Sequence, residues 1–152
     1  MAKFTALPRG TQIVLVAGPL LLVSLFFTWQ NVEVDYGPAG VATVPLDGFD
    51  AWGLLLALLV LSVLTLVALR EFSGVEMSED IAWEKVILGL GAATAAVAVV
   101  KSLLDAGSSW VSYGFVALAV AVGVGTYLDW AAARRERRPL LAQKRRGIRP
   151  AA

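Results

Sequence analysis

Polar positions are not spread evenly along this chain. Four stretches are almost free of them, and the polar residues gather in between. Residues 11–28, 51–69 and 110–128 hold no charged side chain, and 86–104 holds only Lys101. A helix rises 1.5 Å per residue, so about 20 apolar residues cross a hydrocarbon core of ~30 Å. Each stretch is long enough with a turn added at its ends. The pattern therefore predicts an all-α membrane protein: a four-transmembrane-helix bundle over 1–130, followed by a basic tail over 131–152.

The segment 30–50 has a different period. Val32, Val34 and Tyr36 alternate with Asn31, Glu33 and Asp35. Gly37-Pro38-Ala39-Gly40 then supplies turn chemistry, and Val41 to Val44 is again rich in β-formers. Period-two alternation on both sides of a Gly/Pro turn reads as a β-hairpin. A hairpin alone is marginal in water, so it is expected to pack on the helix ends, as a lid, or on a partner.

Charge orients the bundle. Lys3, Arg9, Arg70, Lys85 and eight basic residues between Arg134 and Arg149 fall on one side. The loops on the other side carry Glu33, Asp35, Asp47, Asp50 and Asp105 and no basic residue. Lys and Arg stay cytoplasmic, which places both termini inside and makes the hairpin extracytoplasmic. Trp29, Trp52 and Trp110 fall at the outer ends of spans and Trp83 and Trp130 at the inner ends, as expected of interfacial anchors. The first span is expected to remain as a helix rather than leave as a signal peptide, because bulky Phe26-Phe27-Thr28-Trp29 stands where a small-x-small cleavage site would be.

Small residues mark where helices can meet. In the third span Gly89, Ala92, Ala93 and Ala96 share a face, and Gly91 precedes Ala95 by four. The fourth span carries Ala117, Ala121 and Gly125, and also Ala119 and Gly123. Small residues four apart let backbones approach closely, and van der Waals packing then holds helices together in lipid. Spans three and four are expected to form the tight pair, with Gly107-Ser108-Ser109 as their turn. Gly89, Ala93, Ala96, Ala117, Ala121 and Gly125 are the candidate packing residues, within the bundle or between copies. The second span, dominated by leucine and valine, is expected at the periphery. Gly18-Pro19 predicts a mild kink in the first span, read either as packing or as a hinge. Ser78 is the expected N-cap of the third span.

Lys101 is the single charge inside a span, roughly 22 Å along its helix from Val86. Intramembrane charges are candidates for function. Thr94, Lys101 and Asp105 form a thin polar stripe on one face. It reads either as an ion, proton or ligand step, or as a lysine that snorkels outward and pairs with Asp105.

Composition then removes chemistry. Apolar residues make up 58% of the chain and charged ones 16%, too little charge to cover an ordinary soluble domain. There is no cysteine and no histidine, which excludes thiolate and imidazole catalysis and ligation. No metal-ligand spacing is present, and no cofactor is expected. The tail carries Arg134, Arg135, Arg137, Arg138, Lys144, Arg145 and Arg146 and invites contact with anionic lipid, at about 1 kcal/mol per basic residue near the surface. It lacks aromatic interleaving, so nucleic acid is not an expected partner.

A first span ending in Phe27-Thr28-Trp29, a glycine-bearing outer loop, then Gly48-Phe49-Asp50-Ala51-Trp52 opening the second span, and an arginine-rich tail resemble small uncharacterised four-span membrane proteins of high-GC, actinobacterial-type bacteria. The resemblance implies a location in the bacterial cytoplasmic (inner) membrane. It implies no activity and carries over no functional residue. The outer loop lacks the paired cysteines of claudin-like or tetraspanin-like proteins.

The expectation for function is a non-catalytic structural or accessory subunit, packed in the bilayer beside other membrane subunits or copies of itself. The alternative is a small transporter or channel that uses the stripe at Lys101 and Asp105. An enzyme is not expected.

Overall fold

The computed structural model describes residues 2–73, 82–104 and 110–145. Ser78, Asp105 and the turn 107–109 lie outside the described residues. A single helical turn, α1 (Ala2–Thr5), precedes α2 (Arg9–Ser24). The strands β1 (Thr28–Asp35) and β2 (Val41–Asp47) follow, then α3 (Ala51–Phe72), α4 (Trp83–Leu104) and α5 (Trp110–Arg145). Three helical segments, Ala51–Phe72, Trp83–Leu104 and Ser112–Arg135, are long and apolar enough to cross a membrane. The apolar α2 is shorter, at 16 residues. The molecule is thus a mostly helical, small multi-span membrane protein with a two-stranded antiparallel hairpin.

Each helix starts and packs for a local reason. Pro8, extended at φ −52° and ψ 144°, precedes α2 and gives it no side-chain cap. The helix runs unbroken through Pro19. At Gly18, a side-chain carbon would come within 2.8 Å of Leu64 on α3, so the bare backbone there lets α3 approach. On α3, Gly53, Leu56, Ala57, Val60, Val63 and Val67 turn inward, while Leu54, Leu55, Leu58 and Leu61 face outward. On α4 the buried positions Ile87, Gly91, Thr94, Ala98 and Lys101 step by four and three, the spacing of a helix–helix seam.

The helices neighbour one another in the order α3, α4, α5, α2, and a thinner α2–α3 contact closes the ring. The α4–α5 and α2–α5 seams are the most extensive. Tight packing of spans three and four is therefore matched by a second seam that the small-residue pattern did not single out. The leucine-rich α3 touches its neighbours over less length, yet it buries a full stripe.

The hairpin follows the alternation, with Val32 opposite Val44 and Val34 opposite Ala42. Gly37 and Gly40 take φ of 64° and 95°, values that side chains rarely adopt. Asp35 Oδ1 accepts from the Gly37 N–H at 2.8 Å and tightens the turn. The register is irregular between Thr28 and Gln30, so Trp29 is an extra residue in β1. Such a bulge re-aims a side chain. Here it sends the Trp29 indole into the core, beside Leu21, Leu25, Leu56 and Ala98.

Candidate functional site at the hairpin end of the bundle

The site begins with Asp50. It has extended backbone (φ −84°, ψ −174°) and is the N-cap of α3. Its Oδ1 accepts from the Gly53 N–H at 2.6 Å, which satisfies one of the free amides of the first helical turn. Its Oδ2 accepts from Lys101 Nζ on α4 at 2.7 Å. One carboxylate therefore faces two positive features, the α3 N-terminus and an ammonium.

The Lys101 side chain is wholly buried (0% exposed), whereas that of Asp50 is 35% exposed. Instead of reaching outward to water, the ammonium turns toward the start of α3. Its Nζ lies 5.3 Å from the centroid of the Trp29 ring. Attraction to the face of an indole strengthens when the cation is desolvated. Trp29 is itself buried, stacks on Phe115 of α5 at 5.3 Å, and donates from Nε1 to the Ser24 carbonyl at 2.9 Å. The indole expected at the interface thus has its N–H satisfied by protein.

Two close backbone approaches hold this arrangement. The Gly48 N–H donates to the Leu25 carbonyl at 2.8 Å, and a side chain at Gly48 would collide with the Trp29 indole. A side-chain carbon at Gly53 would overlap the Gly48 carbonyl oxygen. The segment from Gly48 to Gly53 is therefore folded tightly over Trp29, which brings Asp50 to Lys101.

Chemically the pair joins α3, α4 and the base of the hairpin. Among the described residues no three metal-ligating side chains converge. Asp105, the partner anticipated for Lys101, lies outside the described residues. Thr94, the third member of the stripe, is buried and donates to the Leu90 carbonyl of its own helix at 2.9 Å.

The other candidates are placed as follows. Gly91 and Gly123 form the close α4–α5 approach, with Ala95 beside Gly123. Gly89 and Ala96 face outward and Ala93 is half-buried; a side-chain carbon at Gly89 would meet nothing within 4 Å. On α5, Ala117 is exposed and Ala121 half-buried, while Gly125 is buried against Gly10 and Val14 of α2. Arg134 and Arg135 are exposed, and the Arg134 guanidinium lies 5.1 Å from the Trp130 ring centroid. The side chains of Arg137, Arg138, Lys144, Arg145 and Arg146 lie outside the described residues.

A second polar contact stands at the far end of the bundle. Thr11 Oγ1 donates to Asp129 Oδ2 at 2.8 Å, which sets a carboxylate from α5 beside the uncapped start of α2. A small cleft there is lined by Arg70, Glu71, Glu84 and Thr126 as well.

Sequence reasoning did not pair Asp50 with Lys101. Part of the signal was present: an Asp directly before an apolar helix start reads as an N-cap. What made the pairing invisible was its separation of 51 residues along the chain. Compared with protein-family models, with curated proteins and with solved structures, the chain matches none.

Proposed function

We propose that this chain is a non-catalytic subunit of the bacterial cytoplasmic membrane, docking through its helices with copies of itself or with another membrane protein. The observation that carries the reading is the outward strip of small residues on α4. Gly89, Ala92 and Ala96 are exposed on one face, continued by exposed Val99, Val100 and Leu103. Lipid gains nothing from small residues, whereas a second helix can come close along them. The small residues at the close α4–α5 approach, Gly91 and Gly123, lie on another face, and among the described residues nothing stands within 4 Å of a side-chain carbon at Gly89.

In this reading α2 is the fourth span. Its 16 residues cover about 24 Å, and the turn through Phe27 with its exposed Phe26 and Phe27 side chains completes the crossing. Both termini and the basic tail then lie in the cytoplasm, where the arginines meet anionic lipid. A transport role would draw on Lys101. Against it, the buried hydroxyls of Ser24, Thr94 and Thr126 each donate to a carbonyl of their own helix, which supports packing rather than a relay of protons.

Native mass measurement of the protein released from lipid nanodiscs tests the proposal. The expected result is one defined assembly, homo-oligomeric or with a partner in fixed ratio, that dissociates in Gly89→Leu with Ala96→Leu. A lone protomer in both forms would overturn it.

A further inference from the structure

The hairpin carries an edge that the rest of the described molecule does not use. Among the described residues β1 and β2 pair only with each other. The Tyr36 N–H donates to the Gly40 carbonyl at 2.9 Å. Bonded and non-bonded pairs alternate in an antiparallel ladder, which fixes the parity of the rest. Val34–Ala42, Val32–Val44 and Gln30–Leu46 are the bonded pairs, and Asp35–Val41, Glu33–Thr43 and Asn31–Pro45 the non-bonded ones. Backbone groups of non-bonded pairs point away from the partner strand. The outer edge of β1 therefore offers the N–H and C=O groups of Asn31, Glu33 and Asp35. The outer edge of β2 is different, because Pro45 stands where a donor would be needed.

Charge says what suits the open edge. Side chains alternate between faces, so Asn31, Glu33 and Asp35 share one face of β1, and Val32 and Val34 the other. From Trp29 to Asp50 the chain has four carboxylates and no Lys or Arg, and Asp50 is already paired. A second copy adding antiparallel to this edge would set Glu33 and Asp35 against the same acids, and like charges directly opposite destabilise. The protein's own basic tail is out of reach, since Arg134 lies about 36 Å along α5 from Trp110 at the hairpin end.

We propose that the outer edge of β1 receives an extended segment of a partner polypeptide in which Lys or Arg alternates with β-branched apolar residues. The added strand takes its main-chain hydrogen bonds from Asn31, Glu33 and Asp35. Its cations lie beside Glu33 and Asp35, and its apolar residues extend the face of Val32 and Val34. The inference rests on the reading of the chain as a docking subunit and gives the hairpin its share of that role.

The test is residue-resolved amide hydrogen exchange on the full chain in zwitterionic nanodiscs. Two probe peptides are used, one alternating Lys with Val and one alternating Glu with Val, each about eight residues long. The Lys–Val peptide should slow exchange at the Asn31, Glu33 and Asp35 amides by about tenfold or more. The Glu–Val peptide should not. Glu33→Lys with Asp35→Asn should abolish the protection while leaving the Val32 and Val34 amides as slow as before. Both substitutions are at exposed positions, and the side-chain amide introduced by Asp35→Asn retains an acceptor for the Gly37 N–H. Equal protection by both peptides, or none by either, overturns the proposal. So do edge amides that are already slow without peptide, because lipid or another chain then covers the edge. A defined oligomer with an unprotected edge defeats this inference alone. A protected edge on a lone protomer defeats only the oligomer reading.

Discussion

Asp50 serves two partners with one carboxylate, and this makes it the residue on which the hairpin end depends. Removing one member of an ion pair costs most when the charge left behind is buried, and less when that charge is partly solvated and keeps another hydrogen bond. Asp50→Ala is expected to lose the α3 cap and the carboxylate facing a fully buried ammonium. The cost should be roughly 3 kcal/mol, the low end for such pairs because Asp50 is partly open to solvent. Lys101→Met keeps the volume and leaves Asp50 capping Gly53, so it should cost about 1 kcal/mol. Thermal unfolding followed by tryptophan fluorescence gives the order of the two; a more damaging Lys101→Met would contradict this picture. Lys101 was legible from the sequence as an exceptional charge. Its partner was not, since apolar periodicity places residues on helix faces but does not say which loop folds back over which helix.

Among the helices, two glycines of α4 separate folding from the proposed assembly. At Gly91 a side chain would drive into Thr126 of α5, its first carbon overlapping Oγ1. Gly91→Leu is expected to force α4 and α5 apart and lower stability by about 1–3 kcal/mol or more, the usual cost of overpacking. At Gly89 the same substitution meets open space. Gly89→Leu should leave the thermal transition within about 0.5 kcal/mol of the parent, as surface changes do, and act on assembly instead. Comparing the two variants by unfolding and by native mass reads both effects. Small residues at helical spacing were visible in both cases. The faces were two positions apart, and composition alone could not tell inside from outside. The two strands and the turn of the hairpin were legible because alternation, a Gly/Pro turn and β-formers agreed. The bulge at Trp29 was not, since it sits at the start of β1, where only Thr28 precedes it and no change of phase can be read.

For the molecule as a whole, hydropathy carries most of the architecture. Three helices have the length and character of spans, and the fourth apolar stretch forms a shorter helix because it ends at Ser24, in the turn through Phe27 that leads into the hairpin at Thr28. Charge asymmetry supplies the orientation proposed above. If the basic tail meets anionic lipid, replacing Arg134, Arg135, Arg137 and Arg138 by Gln should weaken binding of the tail to anionic vesicles by about 1 kcal/mol per residue, with a matching loss of salt dependence. Vesicle co-sedimentation of a peptide covering 131–152 measures this; unchanged binding would remove lipid from the role of the tail. The chain has no cysteine of its own, so single cysteines introduced at Ala2, Tyr36 and Ala142 report sidedness without background. The most direct measurement of the account is labelling of these three variants in intact cells with a membrane-impermeant maleimide, before and after permeabilisation. Four crossings predict that Tyr36→Cys reacts in intact cells and that Ala2→Cys and Ala142→Cys react only afterwards. If Ala2→Cys reacts together with Tyr36→Cys while Ala142→Cys stays protected, α2 does not cross and the bundle described here is not the one in the membrane.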